Sequence, residues 1–580
     1  MPRFLVPSVL VLALIAGSVS AAPAKKKPVR KAPARAAASN LPLGDQAVGR
    51  ELERVLTAKN APVDSESVLV AVRAAYSKMD FRPAWTSEGT LRSAADELIA
   101  VLTSADTYGL VPADYPVAAL REGADRIRSA APGDTARSPE ALARWDLLAS
   151  ESFVRFVTQV SGGRARPREL YTEWYSPSRR VDAAALLVRA VGEGNVRELA
   201  TSIEPPHPGY RNLKNAYARY LEVAAKGGWG QVAYGDSLKR NEKSDRVEKL
   251  RKRLAASGDL SARKAKGKKF DDAVREAIQR FQRRHGLAAS GVADSETVDL
   301  MNVPVEERLR EMQLNLERWR WLPDDFGPFY LSVNIPEFTL RVMEKGQMAD
   351  SMRVIVGRYY HPTPVFYDSI TTIVLNPDWA VPAAIAREEL LPLAQRDSSY
   401  FGRQSIRVYR SVGGKLREIP ADTVHWGDVT KTEFPYTLRQ DPGPGNPLGR
   451  IKFLLPNPYD IYLHDTPTTE LFTQTRRDFS YGCVRLSRPF DLAHDLLDPA
   501  SWPRAKIDTL VASGRSDTLS VDPPVPVFIQ YWTAWVDDAG EVQFRDDVYR
   551  IDYRQDWAWK QRDKKAGLPT AEASAAPGQR

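Results

Sequence analysis

The chain has 580 residues, 43% apolar and 27% charged, with 42 prolines, 13 tryptophans and one cysteine. That length and apolar content call for several packed domains, and the proline and tryptophan content excludes an all-helical rod. Of the net charge of +9, seven basic residues unopposed by any acid fall in residues 1–40, so residues 41–580 carry only +2; this argues against a nucleic-acid-binding body and reads the basic stretch as a solvated tether, with attraction to an anionic envelope surface as the alternative.

"MPRFLVPSVLVLALIAGSVSAAPA" reads as a signal peptide over 1–21, with Arg3 as the charged start, an apolar run from Phe4 to Ala16 and small residues for cleavage near Ala21 or Ala22. The run is short for a membrane span, and an uncleaved anchor is the alternative. The mature protein is therefore expected to be exported and soluble, or tethered once at its N-terminus if the signal is retained. Residues 22–40, rich in Ala, Pro and Lys, read as a disordered linker. Residues 41–235 read as a helical scaffold: "TLRSAADELIAVL" sets Leu91, Ala94, Leu98, Val101 and Leu102 on one face. Residues 236–303 read as three short helices, with Val247, Leu250 and Leu254 on one face and Val274, Ile278 and Phe281 on another. Gly286 can end the second helix, Asp294 or Ser295 can cap the third, and His285 reads as structural. With its "FQ..HGL..SG" joint, this unit resembles the peptidoglycan-binding module of cell-wall enzymes.

"VEERLREMQLNLERWRWLP" reads as a connecting helix within 304–324, ended by Pro323 and packed between its neighbours. The period then changes. "FYLSVNI", "FTLRVME", "MRVIVG", "TTIVLN" and "SIRVYR" alternate or run apolar as strands, with helices near "PAAIAREELLPLA" and "RPFDLAHDLL", and "VPVFIQYWTAWVDDAGEVQFRDDVY" reads as a hairpin through "DDAG". Residues 325–556 are thus expected to form a β-rich domain. Its long polar stretch, about 395–450, reads as a flap over a site. Residues 557–580 read as a disordered tail.

The lone Cys483, in "FSYGCVRLS", cannot form an internal disulfide. An inert buried thiol, an intermolecular disulfide and a nucleophile are the three possibilities. Gly482 beside it lets backbone approach closely and frees N–H groups for an oxyanion. "DIYLHDTP" reads as a strand ending at His464, close enough in sequence to supply an activating base.

The sequence here resembles the L,D-transpeptidases, whose YkuD-like catalytic domain carries a histidine and then a Ser/Thr-x-Gly-Cys-x-Arg stretch: His464, then Ser480, Gly482, Cys483 and Arg485. "ERWRWLP", "LNPDWAVP", "NPLGRIKF", "YLHDTP" and "YWTAWV" resemble the large multi-domain members of Gram-negative envelopes. The fold implied is α+β and multi-domain: a helical scaffold, the three-helix module and a β-rich, YkuD-like sandwich. The resemblance implies that Cys483 attacks the third residue of a tetrapeptide stem, usually diaminopimelate. His464 protonates the departing D-alanine, and a second stem's amine resolves the thioester into a 3→3 cross-link. The N–H groups of Tyr481, Gly482 and Cys483 are the oxyanion candidates. Arg485 is a candidate for a substrate carboxylate, against a structural ion pair. Tyr462, on the same strand face as His464, and Trp426, in the flap, are candidates for contact with the stem. Asp465 either orients the imidazole or only serves a turn; a backbone carbonyl commonly orients it in this family. Many members have a second histidine where this chain has Tyr481. Expected partners are donor and acceptor stems and other wall-synthesis proteins, with carbapenem-type β-lactams as inhibitors and no nucleic acid.

No cofactor or metal is expected: the six histidines lack His-Glu-x-x-His spacing, one cysteine cannot build a zinc thiolate site, and "DPGPGNPLG" is no phosphate loop. An L,D-carboxypeptidase on the same stems and a non-catalytic wall-binding scaffold are the alternatives. The joint presence of His464, Gly482 and Cys483 favours the enzyme.

Overall fold

The computed structural model describes residues 43–58, 65–171, 174 and 179–565. The expected signal peptide and basic linker lie outside these residues. Among the described residues, no helix is long and apolar enough to cross a membrane.

The first region is a helical bundle around Pro139–Gly162, the longest of its helices. Ser138 caps that helix by accepting from the Ala141 N–H, and Pro139 stands where no donor is needed. Its Phe153, Phe156, Val157 and Val160 are buried in one core with Leu98 and Leu102 of Ser93–Thr103. Asp146, inside this core, accepts N–H bonds from Ala84, Trp85 and Thr86 and a bond from the Tyr76 hydroxyl. The next helix, Pro208–Ala225, falls within the stretch read as scaffold but packs elsewhere. Its Tyr210, Leu213 and Tyr217 share a core with Met312 and Leu316 of the helix Val305–Trp319 and with Phe544 of the hairpin Ala534–Val536/Val542–Phe544.

The three-helix module comprises Asp245–Ala256, Asp272–Arg284 and Ser295–Asn302. Ser244, Asp271 and Asp294 cap them in turn, and Val247, Leu250, Ile278, Phe281 and Met301 form the core. His285 is buried, stacked on Phe281 at 3.8 Å. The connecting helix ends at Trp319, four residues before Pro323; Arg320 and Trp321 continue as a turn whose side chains are fully buried.

The principal sheet has nine strands: β1 (Phe329–Asn334), β2 (Thr339–Glu344), β3 (Gln347–Gly357), β4 (Phe366–Leu375), β5 (Ile451–Leu454), β6 (Tyr462–His464), β7 (Asp478–Ser480), β8 (Val484–Leu486) and β9 (Asp517–Gln530). Their order is β7-β3-β8-β6-β5-β4-β9-β1-β2, and β2 also pairs with β3. The first part of β3 pairs with β2 and its last residues with β8 and β7, so the sheet turns back on itself around one core. Alternation supplies that core: Leu331 and Val333, Leu340 and Val342, Leu463, Val484 and Leu486 all point inward.

Two expectations are corrected. The polar stretch read as a flap from about 395 is part of a folded subdomain that begins at 379. It has a four-stranded sheet, in the order Trp379–Ala380, Tyr436–Gln440, Ile406–Val412 and Lys415–Ile419, and its own core. The tail read as disordered from 557 is helical to Lys565, within Ile551–Lys565, and buries Trp559 and Asp563. Its charges have distant partners: the Arg164 guanidinium meets Asp563 at 3.2 Å and lies over Trp559 at 4.6 Å.

Candidate active site

β6 and β8 are neighbours and parallel, with Leu463 opposite Val484 and His464 opposite Arg485. Because successive side chains alternate, Leu463 and Val484 enter the core, while Tyr462, His464, Cys483 and Arg485 share the other face. The 19-residue separation of His464 and Cys483 is thus closed by strand pairing. Gly482, between β7 and β8, has φ +114°, a conformation that favours glycine, and a Cβ there would stand 3.2 Å from Ile461 Cδ1. Thr363 fixes the loop from behind by donating to Gly482 O at 2.7 Å.

His464 is buried, and its Nδ1 lies 2.5 Å from the backbone O of Asp465. A carbonyl only accepts, so Nδ1 carries the hydrogen and Nε2 presents a lone pair. Burial, then the nearby Arg485 guanidinium, push the imidazole down to about 3, so it is neutral at neutral pH. The Asp465 carboxylate does not orient the ring: it accepts from the Arg450 N–H at 2.9 Å and shapes the turn, and the Asp465 carbonyl does the orienting.

The Cys483 thiol faces Asp460 O at 3.7 Å. Burial pushes it above its ordinary range, while the N–H and hydroxyl of Tyr462, then Lys452 and Arg485, pull it back. The resting site is therefore a neutral thiol near a neutral imidazole. Tyr462 stands beside the sulfur, and burial and that neighbour push its hydroxyl well above the ordinary phenol range. The Lys452 ammonium sits 3.7 Å from the centre of the Tyr462 ring. Reading the strands alone missed Lys452, although β5 pairs it directly with His464; the quoted "NPLGRIKF" contained it.

Arg485 has no carboxylate partner among the described residues. It has one long contact, 3.5 Å to Thr468 Oγ1, and its buried Nε has no partner. That disfavours the structural ion pair and leaves a cation for an anionic group. Of the three expected oxyanion donors, Gly482 is excluded, because its N–H donates to Ser480 Oγ at 3.1 Å. Tyr481 and Cys483 remain. Trp426 is also excluded as a substrate contact: it is only 2% exposed, packs edge-on against Phe401 at 4.7 Å and donates to Ala421 O, as a core residue of the inserted subdomain.

Tyr481 takes part in a contact that the sequence did not suggest. Its hydroxyl donates to Glu389 of the inserted subdomain. Arg358 lies over its ring at 4.1 Å and reaches Glu389 at 3.7 Å, and His361 sits 4.5 Å from it, ring to ring. Glu389 lies in a π-helical turn, Ala386–Leu390, just before Pro392, whose missing N–H disfavours a regular α-helix. Among the described residues, no group of three or more His, Cys, Asp or Glu could hold a metal ion.

Three family models match this chain: "Scaffold domain" over 70–217, "Putative peptidoglycan binding domain" over 243–301 and "L,D-transpeptidase catalytic domain" (YkuD) over 328–506. A protein of Haemophilus influenzae named "Putative L,D-transpeptidase" is 33% identical over 243 residues, 42% of this chain and 48% of that one. The chain thus spans about half the length of the curated relative it matches. Among solved structures, an L,D-transpeptidase of Stackebrandtia nassauensis is 15% identical, covering 52% of this chain and 96% of that one at a TM-score of 0.21. One from Mycobacterium smegmatis is 13% identical, covering 35% and 58% at 0.18. The matched catalytic segment contains β6, β8 and the whole cluster around Cys483, and on this ground the chain carries a catalytic domain of the YkuD L,D-transpeptidase family, joined to a peptidoglycan-binding domain.

Proposed function

We propose that the protein is an L,D-transpeptidase that forms 3→3 peptidoglycan cross-links through a Cys483 thioester, in an envelope to which residues 1–21 export it. The observation that carries this reading is the placement of Tyr462, His464, Cys483 and Arg485 on one face of paired strands within the matched catalytic segment.

Because thiol and imidazole both rest neutral, proton transfer accompanies attack. His464 Nε2 takes the thiol proton as Sγ bonds to the carbonyl carbon of the third stem residue. The Tyr481 and Cys483 N–H groups hold the oxyanion, and Lys452 and Arg485 favour negative charge around the sulfur. Collapse of the adduct breaks the C–N bond, and the imidazolium returns its proton to the departing D-alanine amine. The acceptor amine of another stem then attacks the thioester, loses its proton to His464 and restores the thiol. Arg485 is suited to a stem carboxylate.

Purified protein incubated with disaccharide-tetrapeptide tests the reading by mass spectrometry. Cross-linked dimer with free D-alanine is expected. Tripeptide alone would make the enzyme a carboxypeptidase, and no reaction, with wall binding unchanged in Cys483→Ala, would make it a scaffold. A carbapenem should add one adduct to the unsubstituted chain and none to Cys483→Ala.

A further inference from the structure

Lys452, His464 and Arg485 stand in one row across three neighbouring strands: Lys452 of β5 is opposite His464 of β6, which is opposite Arg485 of β8. Residues opposite one another project from the same face of a sheet, and neighbouring strands lie about 4.8 Å apart. A neutral imidazole therefore stands between two cations, beside the Cys483 thiol. Arg485 has its one long contact with Thr468. Lys452 is half-buried and forms neither a hydrogen bond nor an ion pair among the described residues; its ammonium rests on the Tyr462 ring. Two carboxylates, Asp378 and Asp460, act on it from a distance, and Asp378 is bound to Arg439 at 3.1 Å. Burial pushes this ammonium below its ordinary range. A partly desolvated cation without a counter-ion is costly and calls for an anion.

The chemistry says which anion. Of the two cations, Lys452 pulls the thiol down the more strongly, so it stands closer to the sulfur that attacks. In a donor stem the free carboxylate of the fourth residue lies one residue past the scissile bond, within about 4 Å of backbone. No other carboxylate of the stem is so close to the reacting carbonyl. Lys452 and Arg485 also oppose protonation of His464. A carboxylate bound to Lys452 offsets one of those two charges where the imidazolium must form to protonate the leaving amine. We propose that Lys452 binds the terminal carboxylate of the departing D-alanine, and so determines that the bond broken is the last one of the stem. This assignment rests on the transpeptidase reading above, and it leaves Arg485 for a carboxylate elsewhere on the stem.

Two disaccharide-tetrapeptides test it, one with a free C-terminal carboxylate and one with that carboxylate amidated. Release of the fourth residue, followed by mass spectrometry, gives kcat/KM for each. The unsubstituted chain is expected to favour the acid by about tenfold or more. Lys452→Met should slow both reactions, because it also removes a charge beside the sulfur, but its loss on the acid should exceed its loss on the amide by about tenfold or more. Lys452→Arg, which keeps a cation, should retain a preference for the acid of about threefold or more. Equal rates on acid and amide in the unsubstituted chain overturn the proposal. So does an equal loss on both stems in Lys452→Met, which would confine Lys452 to the thiol. A preference undiminished in Lys452→Met would place the carboxylate on Arg485 or another group and overturns it too. The two readings fail differently. No release from either stem by the unsubstituted chain breaks the transpeptidase reading and this assignment with it; release from both without preference breaks only the assignment.

Discussion

His464 serves the reaction by staying neutral, and the burial that keeps it neutral has a cost in acid. Its side chain is held at about 3 by burial, Arg485 and Lys452, against 6.5 for a free imidazole. Between those values the unfolded chain binds a proton that the folded chain refuses. Stability therefore falls as pH drops from about 6.5 toward 3, by at most ~1.4 kcal/mol per pH unit from this residue. Burial depresses His207 and His285 as well, with the same sign. The melting temperature is expected to fall between pH 7 and pH 4, and to fall less steeply in His464→Gln, whose side chain has no proton to gain. Equal slopes in the two proteins would show that His464 is not held neutral by the fold.

At the scale of the element, what was legible in the sequence was what repeats locally. Leu331 and Val333, or Leu340 and Val342, alternate within a few residues, and the spacing of Gly482, Cys483 and Arg485 is contiguous. Of the inserted subdomain only pieces were legible, the strand in "SIRVYR" and the helix near "PAAIAREELLPLA", because the pairing that assembles them is not local: Tyr436–Gln440 bonds to Ile406–Val412 across a polar stretch, and that pairing puts Trp426 in a core instead of over the substrate. The loss of Gly482 as an oxyanion donor depends on one Ser480 rotamer, which no pattern reveals. The subdomain meets the catalytic loop through Tyr481 and Glu389, so this tyrosine has a mechanical consequence. Tyr481→Phe removes the hydroxyl bond to Glu389 and keeps the ring against Arg358. Because the contact is solvent-exposed, its loss should cost only about 0.5–1 kcal/mol. Amide exchange over residues 383–396 is then expected to quicken by roughly two- to fivefold, with exchange in the three-helix module unchanged. Unchanged exchange over 383–396 would mean that the contact does not restrain the subdomain.

Across the whole molecule, the regions are joined by buried charge as well as by shared apolar cores, and the charged part of that joint is why the last helix reads as a tail. "QRDKK" has no apolar period, and its Asp563 is placed by Arg164, 399 residues earlier. The connecting helix is the centre of this network. Glu317, fully buried, accepts from the N–H of Arg164 and of Ala165 in the helical region and from Arg320 at 3.1 Å. Arg318 binds Asp552 of the C-terminal helix, whose carboxyl is raised by burial and drawn back by that guanidinium. Removing one member of such a pair leaves a buried charge without its counter-ion, a loss of about 3–5 kcal/mol. Glu317→Gln is therefore expected to lower the urea midpoint sharply and to open the junction near residues 163–166 to limited proteolysis before the catalytic sheet unfolds. Glu193→Gln, which breaks the exposed pair with Arg189, should leave both readouts unchanged. If the two variants unfold alike, Glu317 does not join the helical region to the catalytic domain, and the regions are held together by their apolar contacts alone.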